Sequence, residues 1–178
     1  MQLSSTERKI IENSIRDIKD FPKPGIVFKD ITTLLNDKEA YGILMNHLHE
    51  KYKTYNLDYI AGIDARGFIL GSAVAYQLGA GFVPIRKKGK LPWNTISESY
   101  TLEYGSNTVE MHEDALSLGS RVLLVDDLLA TGGTARAAVN LLEKCGAQIE
   151  EVVFFIELGF LKGRSKFSGH NLRSLLVY

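Results

Sequence analysis

Two consecutive carboxylates, Asp126 and Asp127, follow the apolar run Val122-Leu123-Leu124-Val125. A short stretch of mostly small residues comes next, Ala130-Thr131-Gly132-Gly133-Thr134. Backbone N–H groups in so unencumbered a loop can close around a phosphate, and Thr131 and Thr134 add hydroxyl donors. A helical pattern begins behind the loop, so the positive end of that helix points at the same spot. Paired acids beside it suit sugar hydroxyls and a hard cation. The order predicts a site for a phosphorylated, metal-bound sugar. Taken alone, Thr-Gly-Gly-Thr would be an ordinary turn before an N-capped helix. The acids directly before it, after an apolar strand, decide against that.

Further cations and donors stand elsewhere. Gly62-Ile63-Asp64-Ala65-Arg66-Gly67-Phe68 joins a strand pattern to a helix pattern. Gly67 and the helix start offer N–H groups, and Arg66 offers a charged fork for phosphate oxygens. Arg86-Lys87-Lys88-Gly89-Lys90 puts four cations in five residues. Left in solvent it is a basic turn. At a strand end it would stabilise a polyanionic leaving group. The four histidines form no metal-ligating cluster with Cys145. His47 and His49 are two apart on one predicted helix and face different ways.

The elements that must position these residues follow from periodicity. Ser4 and Glu7 have capping-box spacing, and Ile11, Ile15 and Ile18 predict a helix reaching Phe21-Pro22. Asp37 caps a second helix with an apolar stripe of Tyr41, Leu44, Met45, Leu48 and Tyr52. Tyr59–Ile63 reads as a strand, and Phe68–Leu78 as a helix stopped by Gly79. Phe82–Ile85 is another strand, in which Pro84 argues against a central position. Segment 86–111 lacks clear periodicity, which suits a flap or lid. Arg121–Val125 is the strand carrying the acids at its carboxyl end, where open α/β sheets bind ligands. Gly132–Cys145 is its helix, with Ala135, Ala138, Val139 and Leu142 inward and Gly146 as the stop. Glu151–Ile156 and Ser174–Tyr178 are further strands. Alternating strands and helices predict an α/β fold with a mainly parallel sheet flanked by helices.

The chain has 178 residues, enough for one domain with a sizeable core. Lys plus Arg and Asp plus Glu number 21 each. With no net charge, neither nucleic acid nor an anionic membrane is expected as a partner. One cysteine, Cys145, permits no internal disulfide and fits a reducing, cytoplasmic setting. The start is polar, and no apolar run approaches membrane-spanning length.

The thirteen residues Val122–Thr134 resemble the phosphoribosyl-pyrophosphate (PRPP) motif of the type I phosphoribosyltransferases. Three other strings resemble the adenine phosphoribosyltransferase branch: Phe21-Pro22-Lys23-Pro24-Gly25-Ile26-Val27-Phe28-Lys29-Asp30-Ile31, Ile85-Arg86-Lys87-Lys88-Gly89-Lys90-Leu91-Pro92, and Tyr100-Thr101-Leu102-Glu103-Tyr104-Gly105. Gly62–Phe68 is similar to the family's pyrophosphate loop, which often contains a non-proline cis peptide. The resemblance implies a type I phosphoribosyltransferase fold in one domain over 1–178. Residues 1–35 would form a small N-terminal hood, and 86–111 a basic segment and flexible lid.

It implies conversion of adenine and PRPP to AMP and pyrophosphate, a purine-salvage reaction. Asp126, Asp127 and Ala130–Thr134 (Ala130, Thr131, Gly132, Gly133, Thr134) would bind PRPP. Asp64, Ala65, Arg66, Arg86, Lys87 and Lys90 would take pyrophosphate. Val27, Phe28 and Lys29 would read adenine, Phe28 by stacking and its neighbours through the main chain. Family members often have Arg in place of Lys29. Backbone recognition survives that exchange, while stacking by an arginine does not. Glu103 would act on the base proton, with Tyr104 in the lid, alongside Asp126, Asp127 and Arg66 in catalysis. Mg²⁺ would be held mainly by PRPP and water near the two aspartates. A homodimer is implied, with Arg86 near the partner's site. Two alternatives stand beside this: transfer to a 6-oxopurine, and a non-catalytic PRPP-binding regulator. The adenine-type hood argues against the first. The second would bring an added DNA-binding domain, for which about twenty residues before the hood are too few.

Overall fold

Ser4 and Glu7 cap helix α1 (Ser5–Ser14) reciprocally: the Ser4 N–H donates to Glu7 Oε2 at 2.8 Å, and the Glu7 N–H to Ser4 Oγ at 3.2 Å. The helix ends well before Phe21. Ile15 is extended at its C-cap, and the next residues form strand β1 (Arg16–Lys19). β1 pairs antiparallel with β2 (Val27–Asp30), placing Ile18 opposite Phe28. Ile15 and Ile18 thus leave the helix they were spaced for, because pairing outweighs a weak local preference. A short helix α2 (Thr32–Asn36) and α3 (Lys38–Tyr52) follow. Asp37 caps α3, accepting from the N–H groups of Glu39 and Ala40 at 2.9 and 3.1 Å. Leu44, Met45, Leu48 and Tyr52 are buried and Tyr41 half-buried, as the stripe predicts. These elements belong to one compact unit, Met1–Thr54; the second is Tyr55–Tyr178. The structure, a computed structural model, describes residues 3–21, 23–101 and 105–178.

The second unit is built on β3 (Tyr59–Ile63), β4 (Gly81–Lys87), β5 (Thr95–Thr101), β6 (Ser106–His112), β7 (Arg121–Leu129), β8 (Gln148–Glu157) and β9 (Leu172–Val177). Among the described residues they form one sheet in the order β5-β6-β4-β3-β7-β8-β9. The pairs from β4 through β9 are parallel; β5–β6 and β4–β6 are antiparallel. Helix α4 (Arg66–Leu78) links β3 to β4, and α5 (Gly133–Lys144) links β7 to β8.

Alternation along the strands divides the core between the two helices. Ala61, Ile63, Val83, Ile85, Leu124 and Phe154 face the inward stripe of α5, including Ala138 and Leu142. The opposite face receives α4. There a Cβ on Gly71 would meet the Phe82 ring at 2.9 Å, so glycine sets how closely helix and sheet approach. Sheet and helices therefore follow the α/β expectation.

Two local expectations change. Pro84 lies in a strand with neighbours on both sides, but β6 joins β4 only at Arg86 and Lys87. Ile85 turns its carbonyl to the β3 side, accepting from Asp64, so Pro84 turns its nitrogen to the other edge, where β6 makes no pair and the missing N–H costs no rung. Segment 86–111, which has no clear period, contains the β5–β6 hairpin. Ile96, Glu98 and Tyr100 are half-buried while Ser97, Ser99 and Thr101 are exposed. The inward set mixes apolar and charged residues, which hides the period of two. No helix among the described residues is long and apolar enough to cross a membrane.

Candidate active site

β7 outruns its neighbour. Its pairing with β3 stops at Val125, whereas pairing with β8 continues to Leu129. Asp126 and Asp127 stand on this overhang, inside the strand rather than in a loop after it. The space left beyond β3 opens a cavity of about 460 Å³. Asp64, Ala65, Arg66, Lys87, Asp126, Asp127 and Ala130–Thr134 all line it. The sequence-derived sugar-phosphate and pyrophosphate residues thus converge, apart from Arg86 and Lys90, which stand behind the wall.

The acids are treated unequally. Asp127 is buried, and its Oδ2 accepts a hydrogen bond from Arg66 Nε, an ion pair. Asp126 Oδ1 accepts the Asp127 N–H at 2.9 Å. Desolvation, and then the charge of Asp127, hold the Asp126 carboxyl well above the usual carboxylate range. Asp127 is thus charge-compensated from within the chain. Asp126 calls for a proton or an arriving cation.

Arg66 opens α4, and Gly67 lets that helix end reach β7. A Cβ there would lie 2.8 Å from Asp126 Oδ1 and 3.0 Å from the Val125 carbonyl oxygen. The peptide bond between Asp64 and Ala65 is cis, as the pyrophosphate-loop resemblance implies. Asp64 is held at both ends. Its N–H donates to the Ile85 carbonyl at 2.9 Å, and its Oδ2 accepts from Arg86 Nε at 3.0 Å. Arg86 Nη1 in turn donates to the Lys90 carbonyl at 3.0 Å. Arg86 therefore braces the pyrophosphate loop of its own chain.

Behind the basic turn sits a residue that sequence reasoning missed. Buried Glu110 presents one oxygen, Oε1, to the N–H groups of Gly89, Lys90 and Leu91 at 2.9, 3.1 and 3.2 Å. Burial is the largest influence on its pKa and raises it. The bonds from Gly89, Leu91 and Lys90, with one from Thr95, outweigh burial and leave Glu110 below the usual range.

The phosphate loop has its own support. Gly132 adopts φ +76°, and a Cβ there would come within 2.8 Å of the Gly163 carbonyl oxygen. A Cβ on Gly163 would fall onto the Ala130 carbonyl oxygen. The loop and the 3₁₀ turn Gly163–Phe167 can lie this close only as two glycines. Thr134 Oγ1 donates to the Tyr100 hydroxyl at 2.9 Å, linking loop and hairpin. Tyr100, Asn107 and Val109 also line the cavity and were not singled out as site residues. An aromatic in a period-two segment was the available signal for Tyr100. Gly163 gave none, since its partner lies more than thirty residues away.

Glu103 and Tyr104 fall outside the described residues. The residues expected to read the base, Val27, Phe28 and Lys29, lie in the N-terminal unit. Phe28 meets Phe21 edge to face at 5.3 Å, and Lys29 Nζ pairs with Asp17 Oδ1 at 2.6 Å. β2 pairs with β1 along one edge, so these residues sit on a two-stranded ribbon.

The donor set suits a hard cation of limited protein coordination. No cluster of three metal-ligating side chains exists among the described residues. Two adjacent carboxylates, one of them uncompensated, match a cation held mostly by substrate oxygens and water.

Known proteins converge on the same geometry. The phosphoribosyl transferase domain family matches residues 30–166. An adenine phosphoribosyltransferase of Sulfurimonas denitrificans is 68% identical over 93% of this chain and 92% of its own length. The crystal structure of adenine phosphoribosyltransferase from Rhodothermus marinus superposes with a TM-score of 0.92 at 44% identity, covering 98% of this chain and 100% of that one. The Saccharomyces cerevisiae enzyme, complexed with an imino-altritol bisphosphate and adenine, gives 0.91 at 38% identity over 97% and 100%. With identity of this depth over more than nine-tenths of the chain, and the acid-bearing overhang and cis Asp64–Ala65 loop beside it, the protein belongs to the adenine phosphoribosyltransferase family.

Proposed function

We propose that the cavity beyond β3 is where adenine and PRPP become AMP and pyrophosphate, with the residues above in the following roles. The observation carrying this assignment is the convergence of two acids, a phosphate loop and a pyrophosphate loop on one cavity. The bond from the anomeric carbon to the pyrophosphate oxygen breaks, and the bond to the adenine imidazole nitrogen forms. Positive charge develops on the ribose between these events. No protein nucleophile is required, so positioning and charge stabilisation do the work.

Ala130–Thr134 holds the 5′-phosphate through backbone N–H groups at the start of α5. Asp126 and Asp127 orient the ribose hydroxyls. Asp126, whose ionised form is disfavoured alone, gains most as the sugar becomes cationic. Arg66, Lys87 and the cis loop receive pyrophosphate, while Arg86 and Lys90 keep that wall in place. Asp126 and Asp127 would hold Mg²⁺ with the help of substrate oxygens and water, and the ion would supply positive charge to offset that of the leaving pyrophosphate. Glu103 accepts the proton that adenine loses, and Tyr104 helps the lid exclude water. Val27 and Lys29 read the adenine edge through their backbone, with Phe28 against the ring. A 6-oxopurine reverses that donor–acceptor pattern and leaves buried groups unpaired. We further assign a cytoplasmic homodimer, with Arg86 at the interface near the partner's site.

The test is a competition. Protein, PRPP and Mg²⁺ are mixed with adenine, hypoxanthine, guanine and xanthine, and the products are read by mass spectrometry. AMP alone is expected. IMP, GMP or XMP would overturn the base assignment, and PRPP binding with no nucleotide formed would favour a regulator.

A further inference from the structure

The 5′-phosphate is a dianion, yet Ala130–Thr134 offers it only neutral donors. Lys166 lies just behind. It belongs to the 3₁₀ turn Gly163–Phe167, which is fixed at both ends. Gly163 is pressed against the Ala130 carbonyl, and a Cβ on it would lie 3.1 Å from the Gly132 nitrogen. Phe167 is buried, edge-on to Phe154 with centroids 6.1 Å apart. Arg164, between them, pairs with buried Glu157 at 2.5 Å. A 3₁₀ turn repeats every three residues, so Lys166 shares the face of Gly163, the face turned to the phosphate loop.

The space at Gly133 records the result. A Cβ there would lie 3.2 Å from the Tyr100 ring and 3.9 Å from Lys166 Nζ. Gly133 is the first residue of α5, where N–H groups lack partners within the helix. Gly133 lines the cavity and Lys166 does not, so the ammonium stands one residue behind the cavity wall. Lys166 forms no ion pair among the described residues, unlike Arg164 beside it.

We propose that the Lys166 ammonium binds the 5′-phosphate directly, supplying the charge that the loop lacks. This rests on the phosphoribosyl chemistry assigned above. Lys166 does not touch the reacting carbon, so it acts on binding and placement of the sugar phosphate.

Calorimetric binding of two half-ligands tests it. Ribose 5-phosphate probes the phosphate loop, and inorganic pyrophosphate with Mg²⁺ probes the other end of the cavity. Lys166→Ala should weaken ribose 5-phosphate roughly two- to fivefold, as expected for a solvent-accessible ion pair, and leave pyrophosphate unchanged. The loss should shrink as salt is raised, and Lys166→Arg should recover most of it. Unchanged ribose 5-phosphate affinity in Lys166→Ala would overturn the assignment, as would equal weakening of both ligands, which marks a structural role. If the wild-type protein bound neither ligand, the phosphoribosyl assignment itself would fall, a distinct outcome from failure of Lys166 alone.

Discussion

Replacing Glu110 with alanine should loosen the basic turn without removing any group proposed to meet a substrate. One carboxylate oxygen collects the N–H groups of Gly89, Lys90 and Leu91. Hydrogen bonds to a charged acceptor are each worth about 1.5–3 kcal/mol net. Gly89 and Lys90 are exposed, however, and their freed N–H groups would find water. The loss should therefore be near one such bond, about 2 kcal/mol, lowering Tm by roughly 4–8 °C in a chain of this size. Function should fail selectively. The turn fixes the Lys90 carbonyl that holds Arg86, and Arg86 braces Asp64. The KM for pyrophosphate in the reverse reaction should rise about tenfold, equivalent to about 1.4 kcal/mol, with the KM for AMP little changed. Glu110→Gln keeps an acceptor oxygen and should fall between.

The pH dependence has a definite sign. The Glu110 pKa is lowered in the folded state by bonds that outweigh burial. Its contribution is present above the ordinary carboxylate value of about 4.3 and is lost as pH falls through the folded value. Wild-type and alanine stabilities should therefore draw together as pH falls below the ordinary carboxylate range. An alanine variant with wild-type Tm and wild-type pyrophosphate KM would refute the reasoning.

Asp126→Asn should lower turnover by a hundredfold or more, on the order of losing one preorganised electrostatic contact. The same change should raise stability at alkaline pH. The Asp126 pKa is raised in the fold, so its contribution is present at low pH and lost as pH rises through the folded value. Urea midpoints at pH 5 and pH 8 check this, and an unchanged midpoint at pH 8 would count against the charge assignment. Gly163→Ala forces a methyl onto the Ala130 carbonyl and should cost about 1–3 kcal/mol. Its KM for PRPP should rise more than that for adenine, and equal affinities for wild type and variant would show that the phosphate loop is not braced from behind.

Much of the frame was legible because its signals are local. β3 and β7 announce themselves as apolar runs buried on both faces, and α4 and α5 end at Gly79 and Gly146 in left-handed conformations. The acids and the phosphate loop could be placed from order alone. What escaped depended on distant partners. Ile15 and Ile18 have helical spacing, but β2 recruits the segment after Ser14 into a ribbon. The β5–β6 hairpin is obscured by Glu98, whose inward carboxylate is taken by Asn140 at 2.8 Å and Lys144 at 2.5 Å. Glu110 resembles any acid in a polar strand until the turn folds over it. Gly163 and Lys166 gain meaning only when the 3₁₀ turn is laid behind a loop thirty residues earlier.

The overhang of β7 has a consequence for how such a site can change. Its acids are indexed by strand rungs, and a strand shifts only in whole residues. A slip of one residue would exchange the faces of Asp126 and Asp127, and a slip of two would carry both about 7 Å along the sheet. Neither step is a small adjustment. Gradual variation in this enzyme must therefore enter through what surrounds the rungs, the glycines, the braced turn and the hairpin, while the two carboxylates keep their addresses.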